Sequence, residues 1–243
     1  MSRDFKAAKV LINVGTLSWH MKSNRNMIIL CTHNDGGVGK TTLAVHAVGA
    51  LQSQLGRILL IDCDDQADSW QFYSDGIPKK LEDVLVKDDI SLIWNKNRES
   101  IKRLAKPEQY DHIVLDVDSP LQNTVKLIVD HEPDIVMVPV NKSQEVKALR
   151  NLPRTLQVIA QLETKTGTSP RTIIVPLGIE KNDINKVVNE TTKKPSRCLV
   201  APSMPDVQQE MQVAIYKDKR YIWDYPGYEH LHEYFCSLLY LES

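Results

Sequence analysis

Residues 30–44, "LCTHNDGGVGKTTLA", run from an apolar segment through three closely spaced glycines into a lysine and two threonines. Gly36, Gly37 and Gly39 let the backbone bend so that successive N–H groups point into one concavity, the shape that cradles phosphate oxygens. A helix opening at Lys40 adds partial positive charge at the same place. Val38 fills the variable position, Lys40 can reach the terminal phosphates of a nucleotide, and the Thr41 hydroxyl can ligate Mg²⁺. The stretch is credible as a phosphate loop because an apolar strand precedes it and a helical pattern follows it. Asp35 is the discordant residue, a carboxylate beside the polyphosphate it would face.

"MIILCTH" (27–33), "RILLIDC" (57–63), "HIVLDVD" (112–118), "DIVMVPV" (134–140), "TIIVPLG" (172–178) and "RCLVAPS" (197–203) are near-continuous apolar runs. Runs without alternation belong to strands covered on both faces. Helical spacing lies between them. "KTTLAVHAVGALQSQLG" (40–56) ends at a glycine suited to a C-cap. "SQEVKALRNLPRTLQVIAQLETKTG" (143–167) carries Pro153 at a kink or boundary. The closing "HLHEYFCSLLYLES" sets Leu231, Tyr234, Phe235, Leu238 and Leu239 on one face. Alternating strands and helices predict an α/β fold, a single doubly wound domain with a mostly parallel sheet. Residues 27–243 form this domain, and residues 1–26 form either a surface extension or a segment upstream of a start at Met27.

Two more acidic signals flank the loop. In "LLIDCDDQAD" (59–68), Asp62 and Asp64 stand two apart at a strand end, which places both on one face, toward the ligand crevice. One carboxylate there can hold a metal-bound water and the other can position the attacking water. In "HIVLDVDSP" (112–120), Asp116 follows three apolar residues and fits the acid that completes Mg²⁺ coordination.

A glycine-lysine-threonine loop, a D-x-D closing the next core strand and a third strand ending in aspartate resemble the ParA/MinD family of deviant Walker P-loop ATPases. The segment "APSMPDVQQEMQVAIYKDKRYIWDYPGYEHLHEYFCSLL" is also similar to the family's C-terminal region, so the resemblance covers residues 27 to 240. It implies a P-loop NTPase fold, an ATP-dependent nucleotide-sandwich homodimer, slow partner-stimulated ATP hydrolysis, and positioning of DNA or another large cargo. By position, Asp35, Gly36, Gly37, Val38, Gly39, Lys40, Thr41 and Thr42 would surround the phosphates. Lys40, Asp62 and Asp64 would be catalytic, with Asp64 the residue whose loss most reduces turnover. Thr41, Asp62 and Asp116 would serve Mg²⁺, and Pro202, Ser203 and Met204 would lie near the base.

Asp35 departs from the family, which carries at this position a lysine that crosses the dimer interface. At an effective dielectric of about 20 and about 5 Å, two like unit charges repel by roughly 3 kcal/mol. Asp35 is therefore expected to turn away from the γ-phosphate, toward the base or a backbone N–H, and another cation to cross in its place. Lys181 is the first candidate, followed by Lys142 and Lys147. A subgroup of the family lacks the lysine, including McdA-type ATPases that position carboxysomes on the nucleoid.

Formal net charge is −1, so nucleic-acid contact needs a local patch. Residues 181–220 carry an excess of three positive charges. Lys193, Lys194, Arg197, Lys217, Lys219 and Arg220 are the candidates for nonspecific DNA binding. A ParB-like activator or cargo adaptor is the expected protein partner. The four cysteines form no C-x-x-C pair and no bridging set between Cys63 and Cys198, which predicts a reducing cytoplasm and no electron-transfer cluster; nucleoid association through DNA is what the family resemblance implies. The last helix lacks lysine and arginine, against a MinD-like membrane anchor. The tyrosines from Tyr216 onward fall in an apolar pattern and read as packing. A nucleotide-dependent scaffold with little hydrolysis is the alternative activity.

Overall fold

The computed structural model describes residues 26–54, 56–80, 84–118 and 121–242. The expected 1–26 extension lies outside these apart from Asn26. One eight-stranded sheet organises the chain. Its strands are β1 (Met27–Cys31), β2 (Ile58–Asp62), β3 (Val84–Lys87), β4 (Ile90–Trp94), β5 (His112–Asp116), β6 (Ile135–Asn141), β7 (Arg171–Leu177) and β8 (Cys198–Val200). Their order is β3-β4-β2-β5-β1-β6-β7-β8, parallel throughout except for β3, which runs antiparallel to β4.

Successive residues of each strand leave the sheet on opposite sides, and both sides are covered. Ile29 and Cys31 join the cluster under α1 (Lys40–Gln52), α2 (Asp68–Tyr73), α7 (Gln208–Gln212) and α8 (His230–Leu238). Ile28 and Leu30 join the other, under α4 (Leu121–His131), α5 (Glu145–Thr166) and α6 (Lys181–Glu190), with the short α3 (Ile101–Leu104) near the β4 edge. Burial on both faces is why six of the strands read as unbroken apolar runs. The hairpin β3–β4 was not expected. β3 is an edge strand whose Val84 and Val86 are exposed, so it lacks the buried run that marks the others.

The helix α1 is buried nearly all round. The sheet covers one side and the C-terminal aromatics cover the other. His46 Nδ1 donates to the Thr42 carbonyl at 2.7 Å, and its Nε2 accepts from Ile222 N at 3.1 Å. The ring stacks on Phe235 with centroids 4.6 Å apart, while Tyr221 and Trp223 close over Gly49, where a Cβ would meet Tyr221 at 2.6 Å. Two expected boundaries differ. The helix α1 ends with its C-cap at Ser53, not at Gly56, and α5 runs straight through Pro153 to an αL cap at Gly167 with φ 72°.

Candidate nucleotide-binding site

The site forms at the carboxyl ends of the central strands. β1 ends at Cys31, level with Asp116 of β5, and Asp116 is level with Asp62 of β2. The loop from Thr32 to Gly39 rises from this level and turns into α1. Gly37 and Gly39 have φ of 74° and 102°, and a Cβ on Gly39 would come within 2.5 Å of Leu177. Only glycine combines that backbone with that close approach. Val38 is fully buried in the core beneath the loop. Lys40 is 8% exposed, and its Nζ donates to the Asp35 carbonyl at 2.6 Å. Burial lowers its pKa from the ordinary lysine value, and Asp116, Asp64, Asp118 and Asp35 act in the opposite sense.

Asp35 is not among the residues lining the cavity, and its carboxylate engages a side-chain amide rather than a base or backbone N–H. Its two carboxylate oxygens accept from Asn151 Nδ2 of α5 at 3.0 and 2.9 Å, and Lys147 Nζ stands 3.6 Å from Oδ1. His33 Nδ1 lies 3.7 Å from the same carboxylate, yet it accepts the Asp35 backbone N–H at 3.0 Å. That nitrogen therefore carries no proton, and the contact is not an ion pair. Burial pushes the His33 pKa down to about 4, against the pull of Asp35. Of the three candidate crossing lysines, Lys147 thus contacts Asp35 within its own chain. Lys142 pairs with Glu145 at 2.6 Å, and Lys181 opens α6 with an exposed side chain.

The carboxylates divide into different settings. β2 stops at Asp62, so Asp64 lies in the following turn and the same-face geometry of an extended strand does not apply to the pair. Asp62 is fully buried; its Oδ1 accepts from Asp64 N at 2.9 Å and its Oδ2 from Trp70 N at 2.8 Å. These bonds hold the turn that presents Asp64. Burial nonetheless raises the Asp62 pKa to about 6. Asp64 lines the cavity, half-buried, with Oδ1 accepting from Gln66 N at 2.8 Å. Asp116 is 1% exposed and bonded by the Thr41 hydroxyl, while its Oδ2 is buried with no hydrogen-bond partner. Burial, then the Asp62 charge, push its pKa well above the carboxylate range. An orphaned, buried carboxylate oxygen beside a threonine hydroxyl fits a hard cation with oxygen ligands such as Mg²⁺.

A cavity of about 300 Å³ opens over the loop, lined by Gly36, Gly37, Gly39, Lys40, Thr41, Thr42, Asp64 and several further residues. Among these, Asp68, Asp118, Asn141, Gln208, Gln212 and Tyr216 are absent from the sequence-based set. Asp118 is gripped by Arg98, Nε to Oδ1 at 3.2 Å and Nη2 to Oδ2 at 2.6 Å, and by Asn123 at 2.9 Å. Its position two residues past Asp116 was a readable signal, whereas Arg98 had none. Beside the cavity, an apolar depression is lined by Thr42, Asn141, Leu177, Met204, Val207 and Met211 among others. Met204 is the member of the expected base-side trio that lines it. The Pro202 carbonyl accepts from Tyr234, and Ser203 Oγ accepts from Lys181 N. Asn141 donates to Gln208 across the mouth of this region.

The basic candidates separate into two groups. Lys193, Lys194 and Arg197 precede β8 at one edge of the sheet. Lys217, Lys219 and Arg220 follow α7, and Lys219 reaches Ser74 and Asp75 beyond α2, on the β2–β4 side. β8 and β2 are five strand spacings apart, roughly 24 Å, so Lys219 and the residues before β8 share no single strip on one protomer.

A glycine loop between a parallel strand and a helix, closing over a buried lysine at the carboxyl ends of a doubly wound sheet, defines a P-loop nucleotide-binding protein. The sequence matches the CobQ/CobB/MinD/ParA nucleotide binding domain family over residues 29–209, and the chain belongs to that family. Its structure is similar to that of a Cyanothece McdA variant in complex with ATP, with 19% identity, TM-score 0.66, and coverage of 91% of this chain and 98% of that one. It is also similar to a putative plasmid partition protein of Borrelia burgdorferi bound to AMPPNP, with 19% identity, TM-score 0.59 and coverage of 89% and 99%. A third similar structure is MinD of Pyrococcus horikoshii complexed with Mg-ADP, at 17% identity, TM-score 0.59 and coverage of 88% and 94%. None of the curated protein sequences compared with the chain matches it. Among the described residues, no helix is long and apolar enough to cross a membrane.

Proposed function

We propose that the chain hydrolyses ATP slowly with Mg²⁺, dimerises around the nucleotide, binds DNA without sequence preference, and positions a cargo such as a plasmid, chromosome or protein organelle under the control of a partner protein. The observation that carries the nucleotide part is the buried Lys40 at the base of a glycine cradle, within the field of an Asp116 whose buried Oδ2 has no hydrogen-bond partner. Lys40 would leave the Asp35 carbonyl for the terminal phosphates, and the Gly36–Gly39 N–H groups would take the bridging and terminal oxygens. Thr41 and Asp116 would hold Mg²⁺, which supplies charge neutralisation to the phosphates. Asp64, on a turn fixed by Asp62, would orient the attacking water and accept its proton. Met204 and the apolar depression beside Thr42 would receive the base.

The ion pair between Asp35 and Lys147 favours a second reading, a nucleotide-dependent scaffold with little hydrolysis. In that reading no cation crosses between protomers to assist cleavage. Asp64→Ala with ATP and Mg²⁺ separates these possibilities. The ATPase reading expects the variant to accumulate as an ATP-bound dimer by light scattering while wild type turns over and cycles. It also expects a cross-link from Lys147, Lys142 or Lys181 into the opposite protomer. Equal, negligible turnover by wild type and variant, with or without a partner protein, would leave the scaffold reading.

A further inference from the structure

The longest helix, α5, buries Ala148, Leu152, Leu156, Ile159 and Leu162 against the sheet. Its outer side carries Lys147, Arg150, Arg154, Gln157, Gln161 and Lys165, spaced by three or four residues at each step, which keeps them in one row along the helix. Every member is a donor, and all but the half-buried Gln157 are exposed. The two carboxylates of the helix are engaged elsewhere, Glu145 with Lys142 at 2.6 Å and Glu163 with Ser196 N at 2.9 Å. Arg150 and Arg154 make no hydrogen bond or ion pair among the described residues. Like charges one turn apart disfavour a helix, so isolated helix energetics do not account for the row.

We propose that this row is the surface that holds duplex DNA, by its phosphate backbone and without reading bases. The proposal rests on the DNA-binding reading above and gives it a location. From Lys147 to Lys165 the row is about 27 Å long, the axial span of about eight phosphates of one strand. It is continuous, unlike the two separate basic groups before β8 and beside α2. Its members between the cations are glutamines rather than apolar anchors, which suits a phosphate backbone and not a lipid interface. The row begins at Lys147, which touches Asp35 of the phosphate loop, so the nucleotide site and the DNA surface share one helix.

The test is fluorescence anisotropy with a labelled duplex of arbitrary sequence, in ATP and Mg²⁺, across a salt series. The variants are Arg150→Glu/Arg154→Glu, the milder Arg150→Gln/Arg154→Gln, and Lys193→Glu/Lys194→Glu as the comparison. Removing two contacts from each protomer of a dimer should weaken DNA binding at least ~100-fold near 0.1 M salt and flatten the log–log salt slope by about 3 to 4. Affinity for a fluorescent ATP analogue should stay within threefold of wild type, which reports an intact fold. Unchanged DNA affinity and salt slope in both α5 variants, with wild type binding normally, would overturn the proposed surface while leaving DNA binding itself intact. Failure of wild type to bind DNA with ATP would remove the DNA reading and this inference with it. Binding by wild type to anionic phosphatidylglycerol vesicles instead, lost in the α5 variants, would reassign the row to a lipid surface.

Discussion

Replacing Asp35 by asparagine tests whether the residue clamps the phosphate loop to α5 or serves the nucleotide. The carboxylate is 7% exposed and takes two bonds from Asn151, at 3.0 and 2.9 Å. Charge-assisted hydrogen bonds are about twice as strong as neutral ones, so Asp35→Asn, which retains an acceptor, should cost about 1 kcal/mol. The Lys147 contact adds at most ~1 kcal/mol, because the lysine is nearly half exposed. In an Asn151→Ala background the sign reverses. The carboxylate is then buried with its main donor gone, and neutralising it should recover about 1–2 kcal/mol. Urea unfolding of the four proteins gives the coupling, expected at about 2–3 kcal/mol. ATP affinity provides the second readout. A carboxylate aimed at the phosphates from about 5 Å would oppose them by about 3 kcal/mol, so removing it would raise affinity more than ~100-fold. The observed orientation predicts a change below tenfold. Equal costs of Asp35→Asn in both backgrounds, within about 0.5 kcal/mol, would refute the clamp.

Two further expectations follow from the buried titratable groups. Asp116→Asn should leave the nucleotide-free protein as stable or more stable at pH 7, since the amide replaces a carboxyl group whose charged form burial disfavours, yet lose at least ~10-fold of the enhancement that Mg²⁺ gives to nucleotide binding. Thermal unfolding without nucleotide and fluorescence titrations with and without Mg²⁺ would check both parts, and an undiminished Mg²⁺ effect would contradict the assignment. His46, held down to about 4 by burial, has a folded pKa below its ordinary 6.5. Its stabilising contribution is therefore complete above pH 6.5 and is lost as pH falls toward 4. The stability gap between wild type and His46→Gln should narrow by about 2 kcal/mol between pH 7 and pH 5, and a gap constant across that range would refute the neutral tautomer.

Local chemistry explains which features were legible in the sequence. The central strands announced themselves because sheets covered on both faces need unbroken apolar runs, and the loop did because glycine, lysine and threonine must occupy fixed places. The β3–β4 hairpin stayed hidden because an edge strand with exposed Val84 and Val86 meets no such demand. Asp62 and Asp116 were each readable as an acid at the end of a core strand, but their different settings were not. Asp62 is tied up by the Trp70 N–H eight residues on, whereas Asp116 keeps a buried oxygen without a hydrogen-bond partner. The Arg98–Asp118 grip and the Asp35–Asn151 clamp join residues 20 and 116 positions apart, and no local pattern encodes such contacts. The donor row on α5 has helical periodicity and was present in the sequence. Structure adds that its outer side is exposed and that the other basic groups stand apart, one before β8 and one beside α2.

The central claim is that Lys40 and its loop form an ATP site on which the rest of the cycle depends. Calorimetric titration of ATP with Mg²⁺ into wild type and Lys40→Ala, both shown folded by circular dichroism, tests it most directly. Wild type should bind one ATP per chain, and Lys40→Ala should lose at least ~100-fold in affinity, the equivalent of about 3 kcal/mol for a buried charge-assisted contact. Equal affinity in the two proteins, or no ATP binding by wild type, would contradict the account.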